Sequence, residues 1–316
     1  MSSPFEIVLV RHGERADKYA HLRDQQERNN SNLTESGLEQ ARGVARMLRE
    51  QHPSRKYRVI SSPFFRTIQT AAAIVSSIGA DALAAEHLEV DFALGEHTKF
   101  DEIPASVTAL ADARAAEVSS AAAGRALAVS LTGSASVIVP HESMAAASDR
   151  VWNRLLAIAS DHLANAARQQ GDADAPSSLL IVTHGFAPAR LIERMLHGVA
   201  VTHVNLLAHV ALVPRAGFTA VAATGAADDA SADAGGGAAA AAPGSPRASS
   251  PFALSWSRGL RWRLHSQPAQ PDAVDAPVDE FRKDDHGEED GTWYETKIVA
   301  QHAPFLAFSH TVDVHP

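Results

Sequence analysis

Phe5-Glu6-Ile7-Val8-Leu9-Val10-Arg11-His12-Gly13-Glu14 is the stretch that decides how this chain is read. Ile7 to Val10 form a continuous apolar run rich in β-branched residues, the pattern of a buried strand. The run stops abruptly at Arg-His-Gly. A cation and an imidazole are thereby delivered to a strand's carboxyl end, the edge at which open α/β sheets bind ligands. Leu179-Leu180-Ile181-Val182 repeats the arrangement and runs into Thr183-His184-Gly185. Two histidines, each at the exit of a buried strand and each followed by glycine, point to one site assembled from distant segments. Chemistry on a phosphate is the natural reading.

Working outward, the chain alternates between strand-like and helix-like segments. Leu33-Thr34-Glu35-Ser36-Gly37 opens a helix with Leu38, Ala41, Ala45 and Leu48 at helical spacing, Thr34 as N-cap and Glu35 in the first turn. Tyr57 to Ser61 reads as the next strand. Ser62-Pro63 then starts a helix with Pro63 at its first position and Ile68, Ala71, Ala72 and Val75 on one face. A short run, His87 to Val90, precedes Gly95-Glu96-His97. Met144 to Leu163 gives a longer helix, with Val151, Leu155 and Ile158 on one stripe, and another begins near Ala187-Pro188. Such alternation predicts parallel βαβ units with right-handed crossovers. The expected class is α/β, a three-layer α/β/α sandwich around a mostly parallel central sheet.

The 316 residues read as a single domain with three departures from this pattern. Residues 104–135 are Ala-rich and read as helices over the open end of the sheet, within a cap-like helical insertion at 97–140. Residues 222–250 are almost wholly Ala, Gly, Ser, Asp and Pro, too poor in large apolar groups to offset ordering entropy, and read as a disordered insertion. Strand-like sequence returns from Phe252 to His265. The extension at 266–316 follows, with an acidic run from Asp284 to Asp290 and a short strand from Trp293 to Val299.

Composition narrows the function. With 28 basic against 37 acidic residues the net charge is -9, which argues against nucleic acid or an anionic membrane as the partner. An anion site must then be a local concentration of positive charge. The chain has no cysteine, so thiolate nucleophiles, disulfides and Cys-ligated metals are excluded. The opening residues lack a basic n-region and a long apolar core, and no apolar stretch is long enough to span a bilayer. A cytoplasmic location is the expectation. His302 and His310 show no metal-ligand spacing, and neither metal nor cofactor is expected.

Phosphoryl transfer asks a protein for positioning and charge compensation. His12 is the candidate nucleophile, with Arg11 beside it. Arg66, at the start of a helix after a strand, lies on the same edge, where the helix N-terminus favours anions. Its planar fork can take two phosphate oxygens at once. His184 supplies a further donor. Neighbouring arginines are expected to lower the pKa of His12 and keep it nucleophilic near neutrality.

These segments resemble the histidine phosphatase superfamily, with its phosphoglycerate-mutase-like fold. The resemblance rests, in order, on Val10 to Glu14, on Leu33 to Gly37 with Gln40-Ala41, on Ser62-Pro63 to Ala71, and on Val182 to Gly185. It covers residue 5 to about residue 213 and resumes in the strand near Trp256. It implies a phosphohistidine on His12 and a pocket of Arg11, Arg66 and His184. Arg15, followed by Ala16-Asp17, is most similar to the phosphatase branch containing the suppressors of T-cell receptor signalling and the ecdysteroid-phosphate phosphatases; there the extra arginine also reaches the pocket. Residues 15–32 carry neither the Trp-Asn nor the Gly-Trp segment of the cofactor-dependent mutases. Glu96 aligns with the family's general acid, although His97 stands where an aromatic residue usually follows. Glu89, Asp91 and Glu102 are nearby substitutes. His141-Glu142-Ser143 resembles a segment that shapes the pocket.

The expected activity is phosphomonoester hydrolysis, on a phosphorylated small molecule or a phosphoprotein. Two rivals stand beside it: a mutase-type phosphotransferase that protects phospho-His12 from water, and a catalytically weak phospholigand-binding protein.

Overall fold

The structure, a computed structural model, describes residues 5–84, 87–98, 101–112, 116–120, 125–168, 178–195, 199–214, 251–264 and 295–296. Its strands are β1 (Ile7–Arg11), β2 (Tyr57–Ser61), β3 (Leu88–Asp91), β4 (Ala116–Ser120), β5 (Arg125–Thr132), β6 (Ser178–Thr183), β7 (Val199–Pro214), β8 (Phe252–Leu264) and β9 (Glu295–Thr296). Its α-helices are α1 (Ala20–Arg23), α2 (Glu35–Gln51), α3 (Phe65–Ile78), α4 (Ala105–Asp112), α5 (Met144–Arg168) and α6 (Phe186–Met195).

One sheet runs in the order β4-β5-β3-β2-β6-β1-β7-β8-β9. From β5 to β1 all pairings are parallel. Antiparallel strands flank this centre, β4 on one side and β7 to β9 on the other. β1 and β6 lie side by side, Val10 opposite Val182 and Arg11 opposite Thr183, so both histidines leave the sheet at the same edge.

Alternation along β1 sorts its residues between two cores, as the pleat requires. Ile7 and Leu9 face a cluster with Trp152, Leu155 and Ile158 of α5 and Leu191 and Ile192 of α6. Val8 and Val10 face the opposite layer, with Ala41, Val44 and Leu48 of α2 and Ile68 and Ile74 of α3. All four are completely buried, and burial of such a side chain contributes about 1.5–3 kcal/mol. The expected three-layer α/β/α sandwich is therefore the observed one.

The structure corrects several local expectations. Residues 104–135 are not a set of helices: after the short α4 the chain forms β4 and β5, and β5 extends the parallel sheet beside β3. Within the Ala-rich run, Val129 and Leu131 are two apart and both join the core beside α2 and α3, a strand periodicity that outweighs alanine's helix propensity. α3 begins at Phe65, not at Pro63; Phe64 is still extended, and its carbonyl takes the first helical bonds from Thr67 and Ile68. β7 was not anticipated at all. The 222–250 insertion lies outside the described residues, as does nearly all of 266–316; of the expected Trp293 to Val299 strand, Glu295 and Thr296 pair with β8.

Candidate active site

The site is built on the exit of β1. Gly13 meets α2 so closely that a Cβ on it would lie 2.5 Å from the Gly37 carbonyl oxygen, and a Cβ on Gly37 would lie 2.4 Å from that of Glu14. Glycine is required on both sides because two backbones touch there. Thr34 seals the contact: its Oγ1 accepts from Gly37 N at 2.9 Å and donates to Glu14 Oε2 at 2.7 Å. Gly13 N donates to Thr70 Oγ1 of α3 at 3.0 Å. The turn bearing His12 is thereby fixed to two helices.

His12 is 3% exposed, and its Nδ1 lies 2.8 Å from the Gly13 carbonyl oxygen. A carbonyl can only accept, so Nδ1 carries the proton and Nε2 keeps its lone pair. Burial, then Arg66, Arg11 and His184, hold the His12 pKa well below its ordinary value. The ring is thus neutral near pH 7.

His184 is fully buried, with its ring centroid 5.6 Å from that of His12. Its Nε2 is 2.7 Å from Ser62 Oγ, and Nδ1 is 2.9 Å from Glu96 Oε2, a close contact rather than an aligned hydrogen bond. Burial, outweighing the carboxylate, lowers its pKa to about 4. Arg66 is 2% exposed, stacks 4.6 Å from the Phe64 ring centroid, and donates to Glu96 Oε2 at 3.2 Å and to the Asn29 carbonyl at 3.3 Å. Its Nε has no hydrogen-bond partner among the described residues. Burial lowers its pKa to about 10, so it stays cationic. For Glu96, burial pushes the pKa up, but His184 and Arg66 outweigh it and hold the carboxyl below the usual range.

Arg11, Arg66, His184, Glu96 and His12 therefore converge. Arg11 donates to the Val204 carbonyl of β7 and lies against Gly185, where a Cβ would come within 3.1 Å of its Nε. Arg15 is close enough for its charge to act on Arg66 and His184, but its guanidinium is bound to Asp17 through two contacts of 2.9 Å. The alternative acids are committed or remote: Glu89 pairs with Arg58, Asp91 with Arg154, and Glu102 is exposed.

Several residues at the site were not picked out from the sequence. Ser62 reached notice only as a helix start. Arg150 of α5 holds both oxygens of Glu142 at 2.7 and 3.0 Å and donates to the carbonyls of Ala93, Gly95 and Glu96. That clamp ties Glu142 to the loop carrying Glu96. His97 donates to the Glu142 carbonyl at 2.8 Å and approaches the Phe186 ring, so it also packs where an aromatic residue was expected. No spacing signal marks Arg150, which acts across more than fifty residues of sequence.

Ligand atoms of His12, Glu96 and His184 lie within 4.8 Å of one another, a set that could geometrically hold a metal ion. Arg66 shares the same carboxylate oxygen, and Arg11 acts on His12, so the local field favours an anion over a cation. Among the described residues no helix is long and apolar enough to cross a membrane.

The profile of the histidine phosphatase superfamily (branch 1) matches residues 7–221. No curated protein matches the sequence. Similar solved structures include a mycobacterial hydrolase, at 17% identity and TM-score 0.41, covering 82% of this chain and 96% of its own. A mycobacterial glucosyl-3-phosphoglycerate phosphatase shows 20% identity and TM-score 0.41, with 66% and 90% covered. An ecdysone phosphate phosphatase from Bombyx mori, in complex with tungstate, shows 15% identity and TM-score 0.42, with 66% and 88% covered. These likenesses carry no information on substrate. The profile spans both strand-end histidines and Arg66, and the chain belongs to the histidine phosphatase superfamily.

Proposed function

We propose that this protein is a phosphomonoester hydrolase that works without a metal, through a phosphohistidine on His12. The observation that carries the reading is the Nδ1 contact of His12 with the Gly13 carbonyl, which leaves Nε2 as a neutral nucleophile in a pocket of arginines. Nε2 attacks phosphorus as the ester oxygen leaves. Arg11, Arg15, Arg66 and His184 hold the phosphoryl oxygens, with the unpartnered Arg66 Nε and the off-axis His184 Nδ1 offering donors.

Glu96 is the acid and then the base. Its low pKa reflects Arg66 and His184. A phosphoryl group that takes over those donors supplies its own negative charge, and the Glu96 pKa then rises toward that of a proton donor. The leaving oxygen takes that proton; Glu96 next accepts one from water as it attacks phospho-His12, releasing phosphate. The substrate class is a phosphorylated small molecule or phosphoprotein.

The test is rapid quench of the protein with labelled para-nitrophenyl phosphate, beside His12→Ala. An acid-labile, base-stable phosphoprotein that turns over and is absent from the variant is expected. A long-lived phosphoprotein with almost no phosphate release would instead make the protein a phosphotransferase. Neither labelling nor turnover would leave a binding protein.

A further inference from the structure

α3 starts without a cap of its own. Its N-cap residue is Phe64, whose side chain accepts nothing, although the first turn of a helix leaves backbone N–H groups that need partners. The missing acceptor comes from another loop: Asn30 Oδ1 accepts from Phe65 N at 2.8 Å. Asn30 is completely buried, and its other end is also used. Nδ2 donates to Ser106 Oγ of α4 at 2.6 Å and to Glu27 Oε2 at 3.3 Å. Glu27 in turn accepts from Ser106 N at 3.0 Å and from the Ser106 hydroxyl. Next to Asn30, Asn29 takes the left-handed conformation (φ 66°), and its carbonyl accepts from Arg66 Nη1. Asparagine tolerates that backbone better than most residues.

We propose that Asn30 is a positioning residue for Arg66: it caps α3 from the neighbouring loop and, through Ser106, ties that cap to α4. The proposal rests on the reading of Arg66 as a phosphoryl ligand. Arg66 is the second residue of α3, so the first turn sets the position of its Cα. The loop then holds the helix start through Asn30 and the guanidinium through Asn29. An asparagine suits this post because it needs one acceptor for Phe65 and one donor for Ser106 and Glu27. A displacement of about 1 Å at a phosphate ligand is enough to be felt strongly in the rate. The placement of α4 is thereby linked to the start of α3, which carries Arg66.

The test measures inhibition of para-nitrophenyl phosphate hydrolysis by orthovanadate and by inorganic phosphate. Asn30→Ala should weaken both inhibitors about fivefold or more, the scale of a lost helix cap, and raise KM more than it lowers kcat. Exchanging donor and acceptor, Asn30→Asp with Glu27→Gln, keeps every hydrogen bond and should restore both inhibition constants. In an Arg66→Ala background, Asn30→Ala should cost nothing further, because coupled residues fail to add. Unchanged inhibition in Asn30→Ala, or a full additional loss without Arg66, overturns the proposal. Should Asn30→Ala not fold, Asn30→Asp alone should be weakened and the double exchange restored; equal values overturn it. A parent protein that hydrolyses the ester but ignores both anions overturns the reading of the pocket as well.

Discussion

The two strand-end histidines are near copies in sequence and opposites in structure. Both follow a buried strand, both precede glycine, and both are buried at the same sheet edge. His12 is held by one nitrogen against its own chain, through the Gly13 carbonyl, which leaves the other nitrogen with a lone pair. His184 is approached at both nitrogens by remote side chains, Ser62 at Nε2 and Glu96 at Nδ1. In the proposed mechanism the first ring attacks and the second donates. The difference lies in the partners, not in the motif.

Removal of the two rings should have very unequal effects. His12→Ala should lower turnover by roughly 10⁴-fold or more, the scale seen when a nucleophile is removed, whereas His184→Ala should cost about 10²- to 10³-fold, the scale of one lost oxyanion donor. Steady-state rates on para-nitrophenyl phosphate decide, and equal losses would erase the division of roles. Glu96→Gln should cost about 10²- to 10⁴-fold on an alkyl phosphate and much less on the nitrophenyl ester, whose leaving group needs little protonation. Similar losses on both would remove Glu96 from acid catalysis.

Ser62→Ala is a finer probe, since the Ser62 hydroxyl is hydrogen-bonded to the second histidine. Losing a net hydrogen bond worth about 1 kcal/mol corresponds to roughly fivefold, expected in vanadate affinity with phosphoenzyme formation on His12 preserved. Loss of the phosphoenzyme itself would mean that Ser62 supports both rings.

The smallest effect is on stability against pH. His184 titrates near 4 in the folded protein because of burial, and near 6.5 when unfolded. Its contribution is therefore fully present above pH 6.5 and is lost as the pH falls from there toward 4. His12, also lowered, acts in the same direction. Urea midpoints should fall between pH 7 and pH 5, and less so in His184→Gln; an unchanged slope in the variant would contradict the burial argument.

Legibility in the sequence followed the range of the interactions involved. β1, α2 with its Thr34 cap, β2 and β6 were readable because their signals are local periodicity and local capping. β7 was not: His203, Asn205 and His209 interrupt its apolar run, Leu207 has φ 54°, and its pairing with β8 slips between Val204 and His209. The Ala-rich 104–135 misled because alanine reports helix propensity while Val129 and Leu131 join a sheet core. In the site, His12, Arg66 and His184 were legible as strand and helix ends. Arg150 and Asn30 were not, because each acts on a segment far away in sequence, and Ser62 meets His184 only after 122 residues.

The strand order has a consequence for how the protein is made. β1 precedes the other described strands in sequence, yet in the sheet it lies between β6 and β7, which come more than 160 residues later. Pairings of such long sequence separation form late, because the loop must close before any contact rewards it. Arg11, His12, Arg66 and Glu96 can all have left the ribosome while the strand that leads into His12 still has no neighbour. The assembled site should then arrive only after β6 and β7 have been made, and a nascent chain that stops before β6 should hold His12 without the strands that flank it.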